Sequence, residues 1–167
     1  MSSIEGLETK VADVYLYEDV VYVFSTMYVD RIGSQPMYLV ASIPRLEVEF
    51  SSLGRLVREA LRDSLAWVEW SDYESPRASR DPLAEATGVP NRRLVHFQQS
   101  SGNVAVVEEP DAVDYALYSY LQKRGRGTPL DVGGDPPSKG CTDELLGERV
   151  WRHLTCSLAA NLEANKR

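Results

Sequence analysis

Leu53-Gly54-Arg55-Leu56-Val57-Arg58-Glu59-Ala60-Leu61-Arg62-Asp63-Ser64-Leu65 recurs 93 residues later as Leu146-Gly147-Glu148-Arg149-Val150-Trp151-Arg152-His153-Leu154-Thr155-Cys156-Ser157-Leu158. Leu, Gly, Val, Leu, Ser and Leu coincide. Val57, Leu61 and Leu65 fall four apart, as do Val150, Leu154 and Leu158, and this spacing lays one apolar stripe along a helix. The first helix is predicted from a cap at Ser51 or Ser52 to about Trp67. The second follows a cap at Thr142, with Asp143 and Glu144 favouring its positive end. A glycine in a helix costs about 1 kcal/mol relative to alanine, so its recurrence as Gly54 and Gly147 points to close backbone packing. Arg55, Arg58, Arg62 and Asp63 lie off the stripe and read as a solvated face.

Outward from these helices the chain is rich in strand signals. Residues 11–29 alternate apolar positions with acids and tyrosines, which predicts one or two strands. A turn through Asp30–Pro36 leads to a further strand around Met37–Ser42, while Pro44 argues against a central strand beyond it. Leu46, Val48 and Phe50 alternate with Glu47 and Glu49, as in a half-buried segment. A short helix is expected over Pro82–Thr87. Leu94–Gln99 and Val104–Glu108 read as a hairpin about a turn at Ser100–Asn103. Val113, Leu117 and Leu121 recur every four residues and predict a helix from Asp111 to Lys123. Residues 123–140, rich in Gly and Pro, read as a long loop, and Asn161–Arg167 as a frayed end. The fold class is α+β: a β-sheet of meanders and hairpins packed with three to four α-helices, in a single domain of 167 residues.

The composition is that of an ordinary globular protein. Eighteen basic against 25 acidic residues leave a net charge of −7, which disfavours direct binding to nucleic acid or anionic membrane and favours a basic partner. Cys141 and Cys156 have neither the density nor the spacing of a disulfide framework or zinc site. No segment reads as a leader or membrane span, so a cytoplasmic location is expected.

No motif supplies catalytic machinery. In Gly133-Gly134-Asp135-Pro136-Pro137-Ser138-Lys139-Gly140 the lysine precedes the last glycine instead of following it, and no Ser or Thr follows in the required place, so the segment fails as a phosphate-cradling loop. His96 and His153 belong to no metal spacing, and neither a metal nor a cofactor is expected. His153 and Cys156 lie on adjoining helical positions, but nothing in the sequence activates the thiol. Two acidic clusters stand out. Glu69, Asp72 and Glu74 lie among Trp67, Trp70 and Tyr73, an aromatic cluster that could form a binding surface or whose two tryptophans could plug the core edge, and Glu108, Glu109, Asp111 and Asp114 could be a solvated surface or a protein contact.

The Leu-Gly-x-x-Val-x-x-x-Leu-x-x-Ser pattern at Leu53–Ser64, its repetition at Leu146–Ser157 and the β-rich regions around the helices resemble the immunity proteins of bacterial contact-dependent growth inhibition. The resemblance implies a non-enzymatic cytoplasmic antidote that binds the C-terminal toxin domain delivered by a neighbouring cell, commonly a nuclease and in some systems a tRNase. The acidic charge fits occlusion of a basic nuclease, with Glu69, Trp70, Asp72, Tyr73, Glu74, Glu108, Glu109, Asp111 and Asp114 as partner-binding candidates. The shared helices carry over as scaffold. A small hydrolase using the carboxylates with His96, or a non-catalytic adaptor with another partner, stand as alternatives, and the oligomeric state is left open.

Overall fold

The structure, a computed structural model, describes residues 9–29, 33–68, 81–90 and 93–166. Among these, seven strands form one sheet: β1 (Lys10–Tyr17), β2 (Val20–Val29), β3 (Gly33–Pro44), β4 (Leu65–Val68), β5 (Gly102–Glu108), β6 (Ala116–Lys123) and β7 (Arg126–Leu130). The order is β3-β2-β1-β5-β6-β7 and those neighbours are antiparallel; β4 pairs in parallel with β2 at Met27 and Val29, beyond Ser25, the last partner of β1. The described residues also form four α-helices: α1 (Phe50–Arg62), α2 (Pro82–Thr87), α3 (Leu94–Ser100) and α4 (Asp143–Ala164). The α+β expectation holds. None of the described helices is long and apolar enough to cross a membrane.

Strand alternation gives the sheet two different faces. Ala12, Val14 and Leu16 of β1, Val21 and Val23 of β2, and Val104 and Val106 of β5 point to one face and are buried under α1 and α4. The helices contribute Leu53, Val57 and Leu61, and Leu146, Val150 and Leu154, all buried. Burial of each such side chain stabilises by about 1.5–3 kcal/mol, enough to outweigh the glycine in each helix. Tyr15, Tyr17, Tyr22 and Phe24 point to the opposite face, where Leu83 and Val89 near α2 and Phe97 of α3 cover them.

The twin glycines mark where α1 and α4 cross. A Cβ on Gly54 would lie 1.9 Å from the carbonyl oxygen of Asp143, the first residue of α4, and one on Gly147 would lie 1.8 Å from that of Phe50, the first residue of α1. Each helix thus uses a glycine four residues inside its start to admit the other's first residue. The paired serines also repeat a role: Ser64 Oγ accepts the backbone N–H of Val11 on β1, and Ser157 Oγ accepts that of Asn103 on β5.

Several segments differ from expectation for local reasons. Helix α1 ends at Arg62; Ser64 is drawn to β1, and exposed Leu65 begins β4 instead of extending the stripe. Its N-cap is Glu49, without a side-chain hydrogen bond, so neither Ser51 nor Ser52 serves. Residues 45–47 form a 3-10 turn with Leu46 fully exposed, so the alternation there is not that of a half-buried segment. β3 runs through Pro36 as well as Pro44, which it tolerates because it pairs only with β2 at the sheet edge. Leu94–Ser100 is helical: Leu94 and Phe97, three apart, both face the aromatic cluster while Val95 is exposed.

The helix expected at 111–123 is instead a connection followed by β6, in which Leu117, Ser119 and Leu121 share one face and Tyr118 and Tyr120 the other. The loop after it contains β7, reached through a two-residue turn with Arg124 at φ 52° and Gly125 at φ 73°. Asn161 is no frayed residue. It is fully buried in α4, donating to Ser101 O at 2.8 Å and accepting from Gln122 N at 2.8 Å.

Helix propensity alone predicts that Gly54→Ala or Gly147→Ala stabilises by about 1 kcal/mol, whereas overpacking against a backbone carbonyl predicts a loss of about 3 kcal/mol or more. Urea denaturation should show the loss. The double variant should lose less than the sum of the two, because either methyl already forces the same crossing apart.

Candidate functional site

The acidic candidates divide. Glu69, Trp70, Asp72, Tyr73 and Glu74 lie outside the described residues. Glu108 ends β5, and Glu109, Asp111 and Asp114 follow, exposed, in the connection to β6. That connection is pinned by Tyr115 N–H to Pro137 O at 2.9 Å, by Lys139 N–H to Val113 O at 3.0 Å, and by the Lys139 ammonium, which donates to Glu109 O. Buried Tyr115 anchors it in the core, leaving the carboxylates and Val113, 78% exposed, outside. His96 is exposed on α3, beside the Gly102 end of β5, so six strand residues, roughly 20 Å, separate that end from Glu108. The fold does not bring the histidine and these acids together. His153 is committed to Ser119 through Nδ1 at 3.0 Å, and Cys156 is exposed on α4. Among the described residues no group of three or more His, Cys, Asp and Glu could hold a metal ion.

A cleft that no motif announced lies on the aromatic face between β1, β5 and β6. Its volume is about 140 Å³, and its lining includes Asp13, Gln98, Ser101, Asn103, Tyr120 and Gln122. Regular pairing of β5 with β6 covers Ala105–Val107. At Asn103 the side chain replaces the ladder, donating to Tyr120 O at 3.1 Å and accepting from Tyr120 N at 3.0 Å. Inserting a side-chain amide between two backbones spreads the strands, and the cleft occupies that spread. Tyr118 and Tyr120 stand on the same face, 48% and 37% exposed.

The cleft holds a buried hydroxyl without a partner and a carboxyl that burial shifts. Ser101 is 1% exposed and its hydroxyl is unpaired. Burial raises the Asp13 carboxyl from its ordinary 3.8 to about 7. The Tyr15 phenol is likewise raised, by burial first and then by the negative charges of Asp13 and Asp81. A desolvated carboxylate in the same cleft as an unpaired hydroxyl is a strong acceptor for an entering cation. The space suits the tip of a lysine or arginine side chain. The sequence signal for this site is an acid in phase with Tyr15 and Tyr17, on a face of β1 otherwise turned towards aromatic packing.

The raised Asp13 value sets a sign for stability. Folding favours the protonated form, so its contribution is fully present below about pH 3.8 and is lost as the pH rises to about 7. Asp13→Asn should therefore be more stable to urea than the parent at pH 8, with the gap shrinking towards pH 5. A gap of constant size would show that Asp13 titrates normally.

No protein-family model and no curated protein matches the chain. Solved structures that share its fold include the following two. A Neisseria meningitidis protein of unknown function is 16% identical with a TM-score of 0.65, the alignment covering 93% of this chain and 99% of that one. A chain of the CdiA-CT/CdiI toxin and immunity complex from Yersinia pseudotuberculosis is 12% identical with a TM-score of 0.53, covering 96% of this chain and 99% of that one. At these identities the likeness is one of fold.

Proposed function

We propose that this chain is an immunity protein of a contact-dependent growth inhibition system, which binds and neutralises the C-terminal toxin domain in the cytoplasm without chemistry of its own. The observation that carries the reading is the fold shared, over nearly the whole of both chains, with a chain of a toxin and immunity complex. The net charge of −7 supports a basic toxin, which we take to be a nuclease.

The contact surface we assign combines the acidic connection Glu108–Asp114 with the two strands it joins. Glu108, Glu109, Asp111 and Asp114 steer a basic partner into encounter, and Tyr118 and Tyr120 provide large apolar contact at low entropic cost. Asp13 receives a lysine or arginine tip, whose positive charge favours the ionised carboxylate and offsets its burial. Glu69, Trp70, Asp72, Tyr73 and Glu74 extend the same role to the segment after β4. Occlusion of the toxin surface suffices for inhibition.

Co-expression with a cognate toxin domain should protect cells, and the two proteins should co-purify. Cell death despite a soluble, folded antidote would overturn the proposal. Within the complex, amides at Glu108, Glu109, Asp111 and Asp114 should slow association about tenfold at low salt, with little effect on dissociation. Asp13→Asn should accelerate dissociation by about tenfold or more, because it removes a buried charge partner.

A further inference from the structure

The Gly-rich segment that fails as a nucleotide loop is placed against the positive face of α4. Arg149, Arg152 and His153 adjoin on the helix and, with Asp131–Pro137, line a pocket of about 180 Å³ on the opposite side of the sheet from Asp13. Gly133 and Gly134 take φ of 70° and 88°, and the first is fixed by its N–H donating to Asp131 Oδ1 at 2.9 Å. The two guanidinium groups converge on Gly134: a Cβ there would lie 3.0 Å from Nη1 of Arg152 and 3.1 Å from Nη1 of Arg149. Arg152 also reaches Val132 O at 3.4 Å, whereas Nε of Arg149 is buried without an acceptor.

Two cations brought together repel unless an anion stands between them, and neither arginine forms a salt bridge among the described residues. Asp131 and Asp135 line the same pocket without pairing with either. His153 adds no donor at neutral pH. Ser119 gives its proton to Asn103 O at 2.6 Å and therefore accepts from Nδ1–H of the imidazole, leaving Nε2 as a lone pair. Burial and the Arg152 charge hold that ring below its ordinary pKa.

We propose that this pocket is a binding site for a carboxylate, held by the forked donors of Arg149 and Arg152 across Gly134. A planar monoanion matches paired guanidinium forks, and a doubly charged phosphate meets more repulsion from Asp131, Asp135 and the net negative charge. The assignment is independent of the toxin, because the pocket is complete in the chain alone.

The test is NMR of the ¹⁵N-labelled chain, following the arginine Nε–H groups and the Gly133 and Gly134 amides during titration with sodium acetate, sodium phosphate or sodium chloride at constant ionic strength. Acetate should give a saturable response at these groups, and Arg152→Gln should weaken it about tenfold or more. Arg149→Gln should do the same. Should Arg149→Gln fail to fold, Gly134→Ala on the exposed loop displaces both forks without removing a charge, and should weaken acetate comparably. A response absent for acetate, equal for chloride, unchanged by these variants, or saturating at lower phosphate than acetate would overturn the carboxylate assignment.

Discussion

The crossing of α1 and α4 is the constraint on which the rest depends. Asp143 O occupies the space a side chain at residue 54 would need, and Phe50 O the space at residue 147. The helices can then both lie flat on one sheet face, with Val57 and Leu61 beside Val150 and Leu154 over β1, β2 and β5. The same approach places Asp143 within reach of Arg58, which pairs with its carboxylate at 2.5 Å and also donates to Cys141 O. With both helices on one face, the tyrosines and Phe24 on the other are left to the shorter α2 and α3.

That division explains why the Asp13 cleft lies on the face away from the repeated helices. On the helix face, Ser25 donates to Ala60 O, Ser157 accepts from Asn103 N, and Asn161 ties α4 to Ser101 and Gln122. On the aromatic face, cover by the short helices centres on Tyr15, Tyr17, Tyr22 and Phe24, and the cleft between β1, β5 and β6 holds the Asp13 carboxyl and the unpaired hydroxyl of Ser101. Polar groups left unsatisfied inside a protein cost stability, which is a reason to ask what they bind.

Charge is also distributed by the fold and not by composition. A chain of net charge −7 carries its described acidic candidates on the β5–β6 connection, yet gathers two arginines over a glycine at the far side of β6. Both sites flank the same strand. Leu117 faces the arginine pocket and Tyr120 the Asp13 cleft, because neighbouring phases of β6 point to opposite sides.

Much of this was legible in residues alone. The repeat declared two related helices, recurring glycine declared a close approach, and alternation over residues 11–29 declared β1 and β2, because these signals are local and periodic. Leu94–Ser100 and Ala116–Lys123 were not legible, since a few apolar residues satisfy either a period of two or a spacing near four until a neighbouring surface selects one. Phe97 found the tyrosines of β1, and Ser119 found Asn103, outcomes set by residues distant in sequence. The acidic run at Glu108–Asp114 could be named from composition. Asp13 with Ser101, and Arg149 with Gly134, could not, because no local pattern encodes which side chains meet across a sheet or over a helix; only the packing of β1, β5, β6 and α4 brings them together.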